Sequence, residues 1–129
     1  MKDLNLTQTD STPLVLFQEN GNLEISGKVI PDSELDFWTP VSSWFNEYLQ
    51  SPATNTIFRL RLVYLNTSSS KEILHMLYRL NELKERGFSA SVQWEYNEGD
   101  FDMLEVGRDY EHMVKVPFDF LVLSENPCV

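Results

Sequence analysis

The sequence predicts one α/β domain, a mixed five-stranded sheet with helices packed mainly on one face. Apolar and polar residues alternate in segments 22–29 and 90–96, which is typical of half-buried strands. Segments 40–49 and 71–86 repeat apolar residues at the period of an amphipathic helix. Strands of a parallel sheet covered on both faces are apolar throughout, so the polar side of these strands indicates helices on one side only.

The composition excludes several classes of protein. With 129 residues, 42% hydrophobic and 12% aromatic, the chain is typical of one globular domain with a hydrophobic core. The net charge of −10 argues against binding to nucleic acid or to an anionic membrane, since both repel an acidic surface. The sequence lacks an apolar run of about 18 residues, so no transmembrane helix is predicted. The polar start indicates no signal peptide, and with one cysteine, Cys128, we expect a cytoplasmic protein.

The predicted domain spans residues 14–124. Residues 1–13 are polar and are expected to form a flexible lead-in, and residues 125–129 a tail. The first two strands, 14–17 and 22–29, flank an Asn-Gly pair that is typical of a tight hairpin turn. The fold is therefore expected to begin with an antiparallel hairpin.

The first helix is predicted to begin at Thr39-Pro40, because Thr is a favoured N-cap and Pro is tolerated at the first helical position. Residues 31–38 before it are expected to form a loop. The apolar stripe of this helix consists of Val41, Trp44, Phe45, Tyr48 and Leu49. Pro52 is expected to end the helix.

The central strand is predicted over residues 56–65. One face is expected to carry Phe58, Leu60, Leu62 and Tyr64, and the other Arg59, Arg61, Val63 and Leu65. A second helix is predicted over 71–86, with Gly87 as the positive-φ residue that ends it. The remaining elements are expected to be a strand at 90–96, a helix at 100–114 and a strand at 117–123.

Four hydroxyl residues, Thr67-Ser68-Ser69-Ser70, lie between the central strand and the second helix. Free backbone N–H groups and the positive end of the helix dipole meet at such a junction, so a phosphate there is electrostatically favoured. Capping alone also explains these residues, because Ser69 and Glu72 have the spacing of a capping box. From the residues by themselves, plain capping is the more common role.

The residues do not indicate an enzyme active site. The chain has no Gly-rich phosphate loop, no Cys/His metal spacing and no HExxH motif, and no metal or cofactor site is predicted. The carboxylates of Asp100, Asp102 and Glu105 leave open a small metal-dependent enzyme. The same acids favour the first turn of a helix, where they stabilise its N-terminus.

Several segments resemble the SiaC family of bacterial regulatory phosphoproteins. They are Ile25-Ser26-Gly27-Lys28-Val29-Ile30-Pro31, Phe37-Trp38-Thr39-Pro40 with Trp44, Tyr64-Leu65-Asn66-Thr67-Ser68-Ser69-Ser70-Lys71, Val92-Gln93-Trp94-Glu95-Tyr96 and Asp102-Met103-Leu104-Glu105. The resemblance covers about residues 22–123. It implies a fold similar to the anti-sigma-factor-antagonist (STAS-like) domains, in agreement with the predicted order of elements.

The resemblance also implies a non-enzymatic partner-switching function. Members of the family are phosphorylated on the threonine of this turn by an anti-sigma-factor-like serine/threonine kinase, and a metal-dependent serine/threonine phosphatase removes the phosphate. In one such system the unphosphorylated protein binds and activates a diguanylate cyclase, which controls cyclic-di-GMP signalling, aggregation and biofilm formation. Carried over to this chain, the phosphoacceptor is Thr67, with Ser68 as the alternative if the register differs by one.

A partner-binding surface is expected around the same turn. Its predicted members are Asn66, Ser68, Ser69, Ser70, Lys71 and His75. Phosphorylation adds about −1.5 to −2 charges at a helix N-terminus, which the fold tolerates but a docked partner meets as a bulky dianion. A structural adaptor, whose hydroxyl turn only caps a helix, remains an alternative function, and the polar sheet face with Arg59 and Arg61 is a possible homodimer contact.

Overall fold

The computed structural model describes residues 2–124, which form six strands and three helices. The strands are β1 (Leu4–Leu6), β2 (Leu14–Phe17), β3 (Asn22–Val29), β4 (Asn55–Leu65), β5 (Ser89–Asn97) and β6 (Phe118–Leu123). The helices are α1 (Glu34–Gln50), α2 (Thr67–Glu85) and α3 (Phe101–Met113). None of these helices is both long enough and apolar enough to span a membrane. The predicted tail at 125–129 lies outside the described residues.

The strands follow one another across the sheet in sequence order. The first two pairings, β1 with β2 and β2 with β3, are antiparallel, and the pairings from β3 to β6 are parallel. Each helix therefore connects one parallel strand to the next in the same direction. Because such crossovers are right-handed, all three helices lie on the same face of the sheet. The predicted mixed α/β fold with helices on one face is confirmed.

The sheet has one strand more than predicted within residues 2–124. Strand β1 lies in the segment expected to be a flexible lead-in, and it pairs Leu4 with Phe17 and Leu6 with Val15 of β2. The indole N–H of Trp44 also donates to the carbonyl of Lys2, at 2.7 Å. Three residues are too short to show a periodic pattern, so this strand depends on β2 and α1 rather than on local sequence.

Helix α1 begins six residues before the predicted start. Its N-cap is Ser33, whose hydroxyl accepts from the N–H of Asp36 at 3.2 Å. Thr39 and Pro40 lie inside the helix, and the Thr39 hydroxyl donates to the Leu35 carbonyl at 2.6 Å. The predicted loop over 31–38 is present at residues 31–33 but was wrong for residues 34–38, because Pro40 was interpreted as a helix start. On an exposed helix face water can satisfy the carbonyl that a proline leaves without a donor.

A register shift between β3 and β4 places Tyr64 and Leu65 on the faces of the sheet opposite to those predicted. Gly27 pairs with Leu62 but Lys28 pairs with Tyr64, so Val63 is left without a partner in β3. This shift turns Tyr64 to the open face of the sheet, where Lys28 Nζ lies 5.6 Å from its ring centre. Leu65 turns instead to the helix side and packs against the core. A strict period of two cannot show such a shift.

Two predicted turns are confirmed. The Asn-Gly turn joins β2 to β3, and Gln18 N–H donates to the Asn22 carbonyl at 2.9 Å. Gly87 follows α2 with φ of 93°, its N–H donates to Lys84 O at 3.1 Å, and Phe88 N–H donates to Leu83 O at 2.9 Å. This pair of bonds is the Schellman motif, which needs a residue with positive φ.

The core lies between the sheet and the helices. Its largest fully buried side chains include Trp94, Tyr48, Phe17, Phe45 and Phe58. Helix α3 approaches the sheet at Gly107, where a Cβ atom would lie 2.5 Å from Nε1 of Trp94. The Trp94 indole is itself held by a hydrogen bond to the Met103 carbonyl at 3.0 Å. The absence of a side chain at Gly107 thus sets the distance between α3 and β5.

We expect Gly107→Ala to lower the free energy of unfolding by about 1–3 kcal/mol, because the added methyl overlaps a fixed, buried indole. Urea denaturation measures the change. The matched control is Glu105→Ala, which adds no atoms at an exposed position of the same helix. Since alanine is favoured over glycine by about 1 kcal/mol at an open helical site, a stabilised Gly107→Ala variant would contradict this packing.

Candidate functional site

Helix α2 begins at Thr67, and Asn66 is its N-cap. The Asn66 side-chain oxygen accepts from Ser69 N–H at 2.9 Å, and its carbonyl accepts from Ser70 N–H at 2.9 Å. The predicted start at Lys71 and the capping box of Ser69 with Glu72 were therefore wrong. Asparagine is as good an N-cap as serine, and the N–H of Asn66 is bonded to the Val29 carbonyl at 3.1 Å, at the end of β3.

The early start of α2 separates the four hydroxyl residues into two pairs. Thr67 and Ser68 are exposed, and neither hydroxyl has a hydrogen-bond partner among residues 2–124. Ser69 is fully buried and Ser70 is partly buried. The first N–H groups of the helix have no partner within the helix and lie at the positive end of its dipole. The two outward hydroxyls are therefore available for chemical modification, and the two inward ones support the turn.

A hydrogen-bonded group connects the start of α1 to the start of α2. The carboxylate of Glu34 accepts from the Asn66 side-chain amide at 2.7 Å and from the Ser69 hydroxyl at 3.0 Å. The Ser69 oxygen in turn accepts from the Trp38 indole N–H at 3.0 Å. We call these four residues, Glu34, Trp38, Asn66 and Ser69, the Glu34 latch. Glu34 and Trp38 are four residues apart and so lie on the same side of α1.

Helix α3 holds the same turn from another side. The phenol of Tyr110 donates to the Ser70 carbonyl at 3.0 Å and lies 2.8 Å from the Ser70 hydroxyl. Since the phenol proton is used by the carbonyl, the Ser70 hydroxyl donates to the Tyr110 oxygen. Burial raises the pKa of Tyr110, and the bond from Ser70 lowers it by a smaller amount. The hydroxyl turn is thus fixed by α1 and by α3.

The surface beside the turn contains a groove between α1 and α2. Its first part, of about 580 Å³, begins at Glu34 and Leu35, and its second part, of about 330 Å³, reaches His75 and Arg79. Leu35 is 77% exposed at the mouth. Lys71 and His75 are exposed, as expected for residues that contact a partner, whereas Ser69 is buried and can act only from inside.

The acidic segment near α3 does not form a cluster of metal ligands. Asp100 is the N-cap of α3, and its carboxylate accepts from Met103 N–H at 3.1 Å. Asp102 and Glu105 are exposed. Within residues 2–124, no three His, Cys, Asp or Glu side chains converge on a point where a metal could bind. The geometry of Asp100 is that of a helix cap.

On the open sheet face, the charged residues pair with one another. Glu95 lies 3.3 Å from the guanidinium of Arg59 and 3.5 Å from that of Arg61, and Arg59 also donates to Gln93 at 3.2 Å. This confirms the predicted polar face opposite the helices. The homodimer suggested for this face stays a prediction.

Three residues of the site were missed from the sequence, namely Glu34, Trp38 and Tyr110. Glu34 fell in the segment expected to be a loop. The acids Glu34 and Asp36 just after Ser33 are a typical helix start and could have revealed the first turn of α1. The contact of Glu34 with α2 joins residues more than thirty positions apart in sequence, and no local signal indicates this contact.

The chain is similar to known regulatory proteins over nearly its whole length. The family model described as SiaC family regulatory phosphoprotein matches residues 6–123. The chain therefore belongs to the SiaC family of regulatory phosphoproteins.

Solved structures show the same fold. SiaC of Pseudomonas aeruginosa superposes with a TM-score of 0.86 at 27% identity, covering 95% of this chain and 100% of that one. The SiaC chain in the crystal structure of the diguanylate cyclase SiaD in complex with its activator SiaC, also from Pseudomonas aeruginosa, has a TM-score of 0.86 at 27% identity, covering 94% and 100%. An uncharacterized protein of Pseudomonas aeruginosa strain UCBPP-PA14 is 29% identical over 92% of this chain and 94% of its own length.

We expect Ser69→Ala to lower the free energy of unfolding by about 1–3 kcal/mol, because the buried Trp38 indole N–H then has no acceptor. The matched control is Ser68→Ala, which removes an exposed hydroxyl one residue away and should change stability by less than about 0.5 kcal/mol. Urea denaturation of both variants measures the difference. Equal losses in the two variants would show that the latch does not stabilise the fold.

The raised pKa of Tyr110 makes stability depend on pH in the alkaline range. In the unfolded chain Tyr110 loses its proton near the ordinary value of 10.0, and in the folded protein at a higher pH. The contribution of protonated Tyr110 to the free energy of unfolding is fully present below about pH 9 and is lost as the pH rises through the pKa of the folded protein. The free energy of unfolding should therefore fall less steeply between about pH 9 and 11 in Tyr110→Phe. The control Tyr64→Phe, at an exposed phenol, should keep the steeper fall.

Proposed function

We propose that the protein is a non-enzymatic switch whose phosphorylation on Thr67 controls its binding to a diguanylate cyclase. The observation that carries this proposal is the exposed Thr67 hydroxyl on the first turn of α2, in a chain of a regulatory phosphoprotein family. The unphosphorylated form binds and activates the cyclase, and so promotes cyclic-di-GMP signalling, aggregation and biofilm formation. The published complex of the relative SiaC with SiaD supports this choice of partner.

The phosphate is supplied by an anti-sigma-factor-like serine/threonine kinase. The Thr67 oxygen forms the bond to the γ-phosphorus of ATP, its proton passes to a base of the kinase, and ADP leaves. A metal-dependent serine/threonine phosphatase returns the hydroxyl by adding water across the phosphate ester. The Thr67 hydroxyl has no hydrogen bond to break within residues 2–124, so its modification costs the fold little. Ser68, also exposed, is the alternative acceptor.

The fold tolerates the added charge because of its position. Thr67 is the first residue of α2, where free N–H groups and the helix dipole stabilise an anion. A partner that covers the turn has to remove water from a phosphate of about −1.5 to −2 charges. Burying such a charge without a paired cation is costly, so phosphorylation weakens the complex without unfolding the protein.

The partner-binding surface combines the turn with the adjacent groove. Its exposed members beside Thr67 are Ser68, Lys71, His75 and Leu35, the last of which is an apolar side chain with 77% of its surface open. Asn66, Ser69 and Ser70 form the support beneath it through the bonds to Glu34 and Tyr110. The groove between α1 and α2 offers surface area for binding, and the turn at its end is where phosphorylation acts.

We expect incubation with ATP and the cognate kinase to add one phosphate to the wild-type protein and none to Thr67→Ala. Intact mass and site mapping measure this. Ser68→Ala is the matched control and should still accept the phosphate. The phosphorylated wild type should bind the cyclase at least about tenfold more weakly, equivalent to about 1.4 kcal/mol.

Two outcomes would contradict the proposal. Transfer of the phosphate in Thr67→Ala but not in Ser68→Ala would move the acceptor to Ser68. No phosphate on either residue would leave the turn as a helix cap and the protein as a structural adaptor.

The alternative function, a small metal-dependent enzyme, is tested separately. Divalent metals are titrated by calorimetry into the wild type and into a variant with Asp102 and Glu105 changed to Ala.

A further inference from the structure

We infer that Glu34 transmits phosphorylation of Thr67 from α2 to α1, by electrostatic repulsion that opens the Glu34 latch. The inference rests on the proposed phosphorylation of Thr67 and adds a regulatory mechanism to it. Its basis is the position of one carboxylate. Glu34 belongs to α1, yet it accepts hydrogen bonds from Asn66 and Ser69, the residues on either side of the Thr67-Ser68 pair.

The Glu34 carboxylate lies beside the start of α2. It binds the side chain of the N-cap residue, and Thr67 follows that residue directly. No Lys or Arg forms an ion pair with Glu34 in the described part of the chain; the ion pairs there involve Arg59, Arg61 and Arg79. A phosphate on Thr67 therefore places a second anion beside an uncompensated one. Glu34 is partly buried, so water screens the repulsion only in part.

The two anions differ in what they can gain from the helix. The phosphate is attached to α2 and can accept from the free N–H groups of its first turn. Glu34 is attached to α1 and reaches α2 only through side-chain groups. Repulsion between them is therefore relieved when the Glu34 side chain turns away, because its alternative is open solvent at the mouth of the groove that Glu34 and Leu35 line.

When Glu34 leaves the latch, Trp38 is affected because the hydroxyl of Ser69 connects the two residues. The Ser69 hydroxyl donates to Glu34 and accepts from the Trp38 indole, and these two bonds strengthen each other. When the acceptor leaves, the indole N–H is bonded to a hydroxyl that has lost its own partner. Glu34, Leu35 and Trp38 all line the first part of the groove. Phosphorylation thus alters the α1 side of the partner-binding groove as well as the turn itself.

The test is the indole N–H resonance of Trp38 in protein that carries phosphothreonine at position 67 by encoded incorporation, which needs no kinase. We expect phosphorylation to move this resonance upfield and to speed its exchange with solvent by about tenfold. The chain has three tryptophans, and the other two are internal references. The indole of Trp44 is bonded to Lys2 and that of Trp94 to Met103, so neither should respond.

The decisive variant is Glu34→Gln, which keeps the size of the side chain and removes its charge. One of the two accepting oxygens becomes an NH2 donor, so the response of the Trp38 resonance to phosphorylation is measured against unphosphorylated Glu34→Gln rather than against the wild type. Phosphorylation should no longer shift the Trp38 resonance in this variant. Glu72→Gln is the matched control, since it removes an acid that lines the same groove but belongs to no latch bond. It should respond as the wild type does. A full response in Glu34→Gln, or no response in the wild type, would overturn the inference.

A salt titration keeps the inference testable if Glu34→Gln does not fold. In the phosphorylated wild type, raising NaCl from about 0.05 to 1 M should reduce the Trp38 shift, because it screens the repulsion between the anions. A shift that is independent of salt would overturn the inference. Different results would contradict the proposed function, namely no phosphate transfer from the kinase or unchanged binding to the cyclase. Neither of these results would alter the Trp38 measurement, so the two claims fail separately.

Discussion

The carboxylate of Glu34 joins two helix N-termini, and the geometry of the hydroxyl turn depends on that contact. It belongs to the first turn of α1, and it binds the N-cap side chain of α2 and the hydroxyl of Ser69. With Asn66 held in this way, α2 begins at Thr67, and the helical repeat then turns Ser69 inward and leaves Thr67 and Ser68 outside. A different N-cap would expose a different pair of hydroxyls.

The sheet topology brings these groups together. The parallel strands β3 and β4 are neighbours, and α1 and α2 follow their carboxyl ends. Both helices therefore start at the same edge of the sheet, the edge at which open α/β proteins generally bind ligands. A hydrogen bond shows this arrangement directly, since the N–H of Asn66 at the start of α2 donates to the carbonyl of Val29 at the end of β3. At this edge the chain presents the exposed side chains of Thr67 and Ser68.

Much of the fold could be predicted because its signals are local. The alternation in β3 and β5, the Asn-Gly turn and the Schellman glycine Gly87 each depend on residues within a few positions of one another. Other features could not be predicted from local patterns. Strand β1 is too short to show a period, and Tyr64 changes face at a register shift, so in both cases the deciding partner lies in a neighbouring strand. The start of α1 is different, because Ser33, Glu34 and Asp36 are a local signal for it, but Pro40 is compatible with both a helix start and an exposed helix interior.

For the candidate site, the sequence by itself determined that a cluster of hydroxyl residues follows a buried strand and precedes a helix, and its resemblance to the SiaC family indicated Thr67 among them. Only the tertiary structure decided which hydroxyls face solvent and which residues hold the turn. Trp38, Glu34 and Tyr110 meet Ser69 and Ser70 across separations of 31, 35 and 40 positions. Local patterns report neighbours along the chain, whereas such bonds form only when packing of the helices on the sheet brings distant side chains within hydrogen-bonding distance.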